Sequence, residues 1–129
     1  MNRPSTLAEV VRRLKAETQP LEISLPGFLD TFYTRPADRQ TMIDPAPELT
    51  GDAIVDASMG AIGEHLARRW GLRIPVWTEV PERFLKRPHF PAELENLKPL
   101  LIAQSPLAFR RRMIFVEHEP LRRARMPLD

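Results

Sequence analysis

The chain has 129 residues, of which 43% are hydrophobic and 28% are charged, and this size and composition are typical of one globular domain. It contains no cysteine, which excludes disulfides, a cysteine nucleophile and thiolate metal sites. The sequence has no run of about 18 apolar residues, so no membrane-spanning helix is expected. The N-terminal segment has no apolar signal-peptide core. We therefore expect a cytoplasmic protein.

The net charge of +2 is unevenly distributed along the sequence. Residues 1–64 carry 6 Lys/Arg and 10 Asp/Glu, a net charge of −4, whereas residues 65–129 carry 13 Lys/Arg and 7 Asp/Glu, a net charge of +6. Such asymmetry can indicate a face that binds phosphates or an acidic partner. It can equally mean that the two halves attract each other inside one fold, and the sequence leaves both interpretations open.

The first predicted elements are two helices. Thr6 and Glu9 have the spacing of a capping box before a helix, whose apolar stripe is narrow and predicts a peripheral helix within residues 1–20. Ser24 is the expected cap of a second helix, with Pro26 in its first turn and Pro36 beyond its end. A short helix is expected within residues 37–44. The apolar stripe of the first helix consists of Leu7, Val10, Val11 and Leu14.

The longest predicted helix starts at Thr50 or Asp52 and ends before Gly71, a typical residue just beyond a helix C-terminus. Small residues within it, among them Ala57 and Gly60, would allow another helix to approach closely. Fourteen prolines and only five glycines predict that short helices and stiff connectors surround this central helix. Four aromatic residues in the connectors are expected to be buried anchors: Trp77, Phe84, Phe90 and Phe109.

A further helix is expected within residues 92–105, with Leu94, Leu97, Leu100 and Leu101 on one side and Pro99 inside its pattern. Residues 117–129 are expected to form a mobile tail. No segment shows the sustained alternation of a strand. The sequence therefore predicts an all-α fold: a single domain over residues 1–129, with six to eight short helices around one long central helix and proline-rich connectors.

No set of residues in the sequence indicates catalysis, a cofactor or a metal site. The three histidines, His65, His89 and His118, do not have metal-ligand spacing. Asp52 and Asp56 are four residues apart, which could serve acid–base chemistry but is more typical of an exposed acidic helix start. No glycine-rich phosphate loop and no serine nucleophile motif is present. We therefore do not expect an enzyme.

Three consecutive arginines, Arg110, Arg111 and Arg112, form the strongest functional signal. They lie between Phe109 and the apolar run "MIFV", so the chain around them is expected to pack. Consecutive helical residues point about 100° apart, so the three cannot share one face. We expect one arginine to be structural and the other two to be available for binding a carboxylate or phosphate of a partner.

An ordered series of short motifs carries a resemblance to a known kind of protein. "FLDTFY", "TGD", "EHLARRWGLRIPVWTEVPERFL", "RPHF" and "SPLAFRRRMIFV" resemble a poorly characterised bacterial helical domain, the C-terminal part of helix-turn-helix regulator-like proteins found beside nucleotidyltransferase-like toxins. The resemblance implies an antitoxin-type partner. It does not extend to DNA binding, because only about 24 residues precede Leu25, too few for a helix-turn-helix module.

The expected function is therefore a non-enzymatic protein-binding module. The resemblance implies an antitoxin-type or regulatory subunit that neutralises an intracellular partner, such as a nucleotidyltransferase-like toxin. The alternative is a small nucleic-acid-binding transcriptional regulator that uses the basic C-terminal half. The sequence does not distinguish oligomeric states, and it leaves open whether the arginines contact phosphates or only carboxylates.

Overall fold

A computed structural model describes residues 1–91 and 98–127. Over these residues the regular structure is helical, with six α-helices and three short 3₁₀ helices, which confirms the predicted all-α fold. One isolated bridge pairs His89 with Ile114. No helix of the described residues is long and apolar enough to cross a membrane. The α-helices are α1 Leu7–Lys15, α2 Leu21–Thr34, α3 Arg39–Ile43, α4 Ala53–Arg69, α5 Lys98–Gln104 and α6 Leu107–Arg110.

The chain groups into two compact units, here called the first unit (Met1–Thr50 with Leu121–Asp129) and the second unit (Gly51–Pro120). The prediction of a single domain over residues 1–129 stays a prediction. Counted by unit, the charges are almost balanced, with 9 Lys/Arg and 8 Asp/Glu in the first and 10 Lys/Arg and 9 Asp/Glu in the second. The asymmetry along the sequence therefore disappears because Asp52, Asp56 and Glu64 belong to the second unit and the basic C-terminal tail belongs to the first.

Helix α1 begins as predicted, because the Thr6 hydroxyl accepts a hydrogen bond from the Glu9 N–H at 3.0 Å. The Glu9 carboxylate accepts from the N–H of Ser5 instead of completing a capping box at Thr6. Leu7, Val10 and Val11 are fully buried, and α1 packs against α2. The N-terminal helix is therefore part of the core of the first unit.

The predicted start of α2 at Ser24 is wrong. The helix begins at Leu21, so Pro26 lies inside it, where its missing N–H removes one backbone hydrogen bond. Ser24 does not cap because its side chain is fully buried, and its Oγ has no hydrogen-bond partner among the described residues. At the other end of α2, the Arg39 guanidinium donates to the carbonyls of Phe32 and Tyr33 at 3.0 and 3.1 Å, which satisfies two free helix-end acceptors.

The start of the C-terminal tail is packed within the first unit. Leu121 is buried, and its carbonyl accepts a hydrogen bond from the Tyr33 hydroxyl at 2.7 Å. The Arg123 guanidinium donates to both carboxylate oxygens of Asp30, at 3.0 and 2.9 Å. Leu121 and Arg123 thus have partners within the first unit, in contrast to the mobile tail expected for residues 117–129.

Helix α4 is the longest helix among the described residues and lies centrally in the second unit, in contact with α6 and with the 3₁₀ helices Val76–Glu79 and Pro81–Arg83. Asp52 caps its N-terminus by accepting from the N–H groups of Ile54 and Val55. Gly71, at φ 69°, follows its C-terminus, and the Leu72 N–H donates to the Ala67 carbonyl. Both ends of the central helix are thus those that the sequence predicts.

The groups that approach two glycines of α4 differ from the helix that the sequence predicts there. A Cβ atom at Gly60 would lie 2.8 Å from the Arg83 Cβ, and one at Gly63 would lie 2.8 Å from the Trp77 Cη2. Such distances are too short for a side chain, so both glycines are needed for close packing. Side chains of the two 3₁₀ helices occupy this face, instead of a second long helix.

The four predicted aromatic anchors divide into two classes. Trp77 and Phe109 are buried, with 7% and 5% of their surface exposed, whereas Phe84 and Phe90 are half-buried. The predicted helix over residues 92–105 is present as α5 from Lys98 onward. Leu101 is buried but Leu100 is 50% exposed, so the expectation that both leucines lie on one apolar side is wrong for Leu100. Leu94 and Leu97 lie outside the described residues.

Candidate functional site

The candidate site of the second unit is built around Glu64, a fully buried carboxylate on α4. Its Oε1 accepts hydrogen bonds from the Nη1 atoms of Arg111 and Arg112, each at 2.6 Å, and its Oε2 accepts from the Nε of Arg68 at 2.6 Å. Burial alone would raise the pKa of Glu64, but the hydrogen bonds from these three arginines outweigh burial and lower the pKa to about 2. Glu64 is therefore ionised and shared by three guanidinium groups.

Arg112 is the most enclosed arginine of the triplet. Its side chain is fully buried, and it donates to the carbonyls of Ala108 at 2.8 Å and Thr78 at 2.7 Å in addition to Glu64. Its guanidinium lies 4.4 Å from the centre of the Phe84 ring. Burial is the largest influence on the Arg112 pKa and lowers it. Arg112 therefore joins α4, α6 and the first 3₁₀ helix of the unit.

Arg111 forms the half-exposed edge of the same cluster. It donates to Glu64 and to both carboxylate oxygens of Glu79, at 3.0 and 2.8 Å. Hydrogen bonds to Glu79 and then to Glu64 raise the Arg111 pKa. One third of its side chain is exposed. Arg111 is therefore held inside the unit by two carboxylates.

Arg110 is the one member of the triplet whose guanidinium makes no hydrogen bond or ion pair with a residue that the structure describes, and it is exposed. The expected division, one arginine inward and two outward, is thus wrong: two arginines are held by Glu64 and one points outward. The partner-binding role of the triplet stays a prediction, for which Arg110 is the member with free donors.

The reason for this division is a turn that sequence spacing did not reveal. The N–H of Ile114 donates to the Phe109 carbonyl and that of Met113 to the Arg110 carbonyl, the two hydrogen bonds of a Schellman motif. Met113 has a left-handed φ of 59°, a conformation that usually requires glycine. The helix that carries the arginines therefore ends in this turn. The angle of about 100° between consecutive side chains holds only while a helix continues, so it does not describe all three arginines.

Arg83 extends the cluster beneath α4. It is almost fully buried, it donates to the Asp56 carbonyl at 3.3 Å, and its guanidinium lies 5.0 Å from the Trp77 ring centre. Asp56 is itself buried, and its carboxylate accepts from the Gly51 N–H. The expectation that Asp52 and Asp56 form an exposed acidic face is therefore wrong for Asp56, and the two carboxylates have separate structural partners.

Sequence reasoning missed Glu64, Glu79, Arg68 and Arg83. One signal could have revealed the first: Glu64 is the single charged residue in "ASMGAIGEHLA", a stretch otherwise suited to burial, and a buried carboxylate needs cationic partners. No group of three or more metal-ligating side chains occurs among the described residues. His65 packs edge-on against Phe109, and burial lowers its pKa.

Exposed apolar side chains adjoin the edge of the cluster. Val76 is 88% exposed and Leu107 is 45% exposed. Val76 lies three residues before Glu79 in a 3₁₀ helix, so the two share a face, and Leu107 is one helical turn before Arg111. The ion pair between Arg111 and Glu79 joins these two elements, and Val80 and Arg110 are the exposed neighbours of Glu79 and Arg111 in the sequence. We call this set of exposed residues the valine–arginine strip: Val76, Glu79, Val80, Leu107, Arg110 and Arg111.

Compared with known proteins, the chain matches no family model, no curated protein and no solved structure. The resemblance to toxin-associated regulator-like proteins therefore stays a prediction from the sequence motifs.

Proposed function

We propose that the chain is a non-enzymatic protein-binding module and that the valine–arginine strip is its binding surface. The observation that carries this proposal is the position of Arg110, an exposed guanidinium with no described partner, beside the exposed Leu107. Arginine is enriched among the residues that contribute most of the binding energy in protein interfaces, and an exposed leucine beside it offers apolar area for a partner to cover. The partner we infer is a protein whose surface presents a carboxylate next to an apolar patch.

The rigidity of the strip supports this proposal. Glu79 and Arg111 are joined by two hydrogen bonds, and Arg111 is anchored in turn on the buried Glu64. A surface that is already ordered loses less conformational entropy on binding. The buried cluster thus supplies the framework, and Val76, Leu107 and Arg110 supply the contacts.

The proposed partner class follows from the resemblance of the sequence motifs: an antitoxin-type or regulatory subunit that neutralises a nucleotidyltransferase-like toxin in the cytoplasm. Nucleic-acid binding by the basic C-terminal half is the alternative. It has less support, because Arg111 and Arg112 are held by Glu64 and Arg123 by Asp30.

The test is co-purification of the full chain with the protein encoded by the adjacent reading frame, followed by titration calorimetry. We expect a stoichiometric complex, and Arg110→Glu should weaken it by about 2–5 kcal/mol, because a cation at a carboxylate becomes a repelling anion. Arg12→Glu, the same charge reversal at an exposed position in the first unit, is the control. A complex unaffected by both Arg110→Glu and Val76→Asp would refute the strip, and absence of any complex with the neighbour would refute the antitoxin assignment.

A nucleic-acid titration separates the alternative. Binding of a duplex oligonucleotide would fall steeply with salt concentration. If such binding occurs and a complex with the neighbouring protein does not, the regulator function replaces the one proposed.

A further inference from the structure

The first unit contains a polar cleft that the proposed function does not use. Its volume is about 550 Å³, within the range of small-molecule sites. It is formed by the segment before α1, by α1 itself and by the C-terminal half of α2. The lining residues are Asn2, Arg3, Ser5, Glu9, Arg13, Thr31, Thr34 and Arg35.

The cleft has more cationic groups than internal carboxylates can neutralise. Arg13 is paired with Glu9 and also donates to Gln19, so this arginine and this carboxylate satisfy each other. Arg35 is exposed and makes no hydrogen bond or ion pair with a described residue. One carboxylate thus faces three guanidinium groups, and the donors of Arg35 remain available for an anion.

Arg3 supplies the second available guanidinium. Its stem is held against α2, because a Cβ at Gly27 would lie 3.5 Å from the Arg3 Cγ. The charge of Arg3 acts on the Asp30 carboxylate of α2, but both oxygens of Asp30 already accept hydrogen bonds from Arg123. Arg3 therefore has a fixed stem and a guanidinium without a hydrogen-bond acceptor among the described residues.

The same segments also offer hydrogen-bond acceptors. The Thr31 hydroxyl donates to the Gly27 carbonyl and the Thr34 hydroxyl to the Asp30 carbonyl, and the Ser5 hydroxyl donates to Glu9. Since each hydroxyl hydrogen is in use, these oxygens face a ligand as acceptors. The cleft thus combines cationic donors with neutral acceptors, which fits a ligand with an anionic group and several hydroxyl groups.

The lining residues also indicate what kind of group could be attached to the phosphate of the ligand. None of the eight lining residues is aromatic, so the cleft has no platform on which a nucleobase could stack. Guanidinium groups bind the oxygens of phosphates bidentately. We propose that this cleft binds a small phosphorylated polyol or sugar, with Arg3 and Arg35 on the phosphate and the hydroxyl groups of Thr31 and Thr34 accepting from the ligand.

The test is isothermal titration calorimetry of the full chain at physiological salt concentration with three probes, namely glucose 6-phosphate, ribose 5-phosphate and glycerol 3-phosphate. We expect saturable binding of at least one probe. Inorganic phosphate should bind about tenfold more weakly, because it lacks the hydroxyl groups of the sugar. Glucose should not bind measurably, because it lacks the phosphate.

Matched variants locate the site. Arg35→Ala should weaken binding at least about tenfold, since a charge-assisted hydrogen bond is lost, whereas Arg12→Ala, at an exposed position of α1 outside the cleft, should change affinity less than about twofold. Arg35 is exposed, so the variant should keep the circular dichroism spectrum of the parent. The proposal is overturned if no probe binds saturably, if Arg12→Ala has the same effect as Arg35→Ala, or if citrate binds as tightly as the best sugar phosphate.

Discussion

The two units each hold an aspartate or glutamate with arginines, but at very different depths. In the first unit, Arg123 donates two hydrogen bonds to Asp30, and 40% of the arginine side chain is exposed. In the second unit, Glu64 and Arg112 are both fully buried. The first pair has two hydrogen bonds, at 3.0 and 2.9 Å, and the second has one, at 2.6 Å. Burial nevertheless decides their energetic weight, because solvent screens the first pair, whereas removing one partner of the second leaves an uncompensated buried charge.

The largest effect should come from Glu64→Gln. This change leaves Arg112 buried without its carboxylate, and we expect the free energy of unfolding of the second unit to fall by about 3–5 kcal/mol. Both tryptophans, Trp70 and Trp77, lie in the second unit, so urea unfolding followed by tryptophan fluorescence reports on it. Glu117→Gln, at an exposed position, is the control. A loss below about 1 kcal/mol would show that Glu64 is dispensable.

Acid should affect the second unit through the same carboxylate. The pKa of Glu64 is lowered in the folded protein from 4.5 to about 2, so the unfolded chain binds more protons in this range. The stabilisation is fully present above pH 4.5, is lost as the pH falls toward 2, and amounts to about 3 kcal/mol. Tryptophan-monitored unfolding between pH 7 and 2 measures it. If the slope is unchanged in Glu64→Gln, other carboxylates are responsible.

Each unit also contains a non-glycine residue with a left-handed backbone conformation. Met113 in the second unit and Glu17 in the first, with φ values of 59° and 57°, each follow a helix end. Glu17 is exposed, so Glu17→Gly should stabilise the first unit by about 1 kcal/mol. Met113→Gly should gain less, because Met113 is half-buried and its apolar contacts are lost. Amide hydrogen exchange in α1 and α6 measures both, and a destabilising Glu17→Gly would contradict the role of backbone strain.

A small effect should come from Arg123→Ala. Its ion pair with Asp30 is partly exposed, so the loss should be about 1 kcal/mol or less and should shrink as salt is added. Amide exchange of α2 at low and high salt concentration gives this value. A loss as large as that of Glu64→Gln would remove the distinction between the two clusters.

Local signals made the helices largely predictable. Thr6, Asp52 and Gly71 marked helix ends because caps act through neighbouring backbone groups, and the stripe of α1 identified buried residues. Pro26 misled because proline is common in a first turn, although it is tolerated further inside a helix when packing compensates. The sequence alone could not show that the tail rejoins the first unit at Leu121, since this contact spans 88 residues.

The site was less predictable than the helices. The triplet was recognised, but its division depended on the left-handed Met113 and on Glu64, which lies 47 and 48 residues away from Arg111 and Arg112. The pairing of distant charges follows from tertiary packing, not from spacing. The prediction at Gly60 was likewise only partly right: its small size predicted a close approach, but only the fold shows that Arg83 makes that approach and that Trp77 makes another at Gly63.

The arginine triplet consists of one buried, one half-buried and one outward side chain. Urea unfolding of Arg110→Ala, Arg111→Ala and Arg112→Ala, followed by tryptophan fluorescence, tests this arrangement most directly. We expect a graded loss of unfolding free energy: within about 0.5 kcal/mol for Arg110, about 1 kcal/mol for Arg111, and about 3–5 kcal/mol for Arg112. Equal losses at all three positions, or a larger loss for Arg110 than for Arg112, would contradict it.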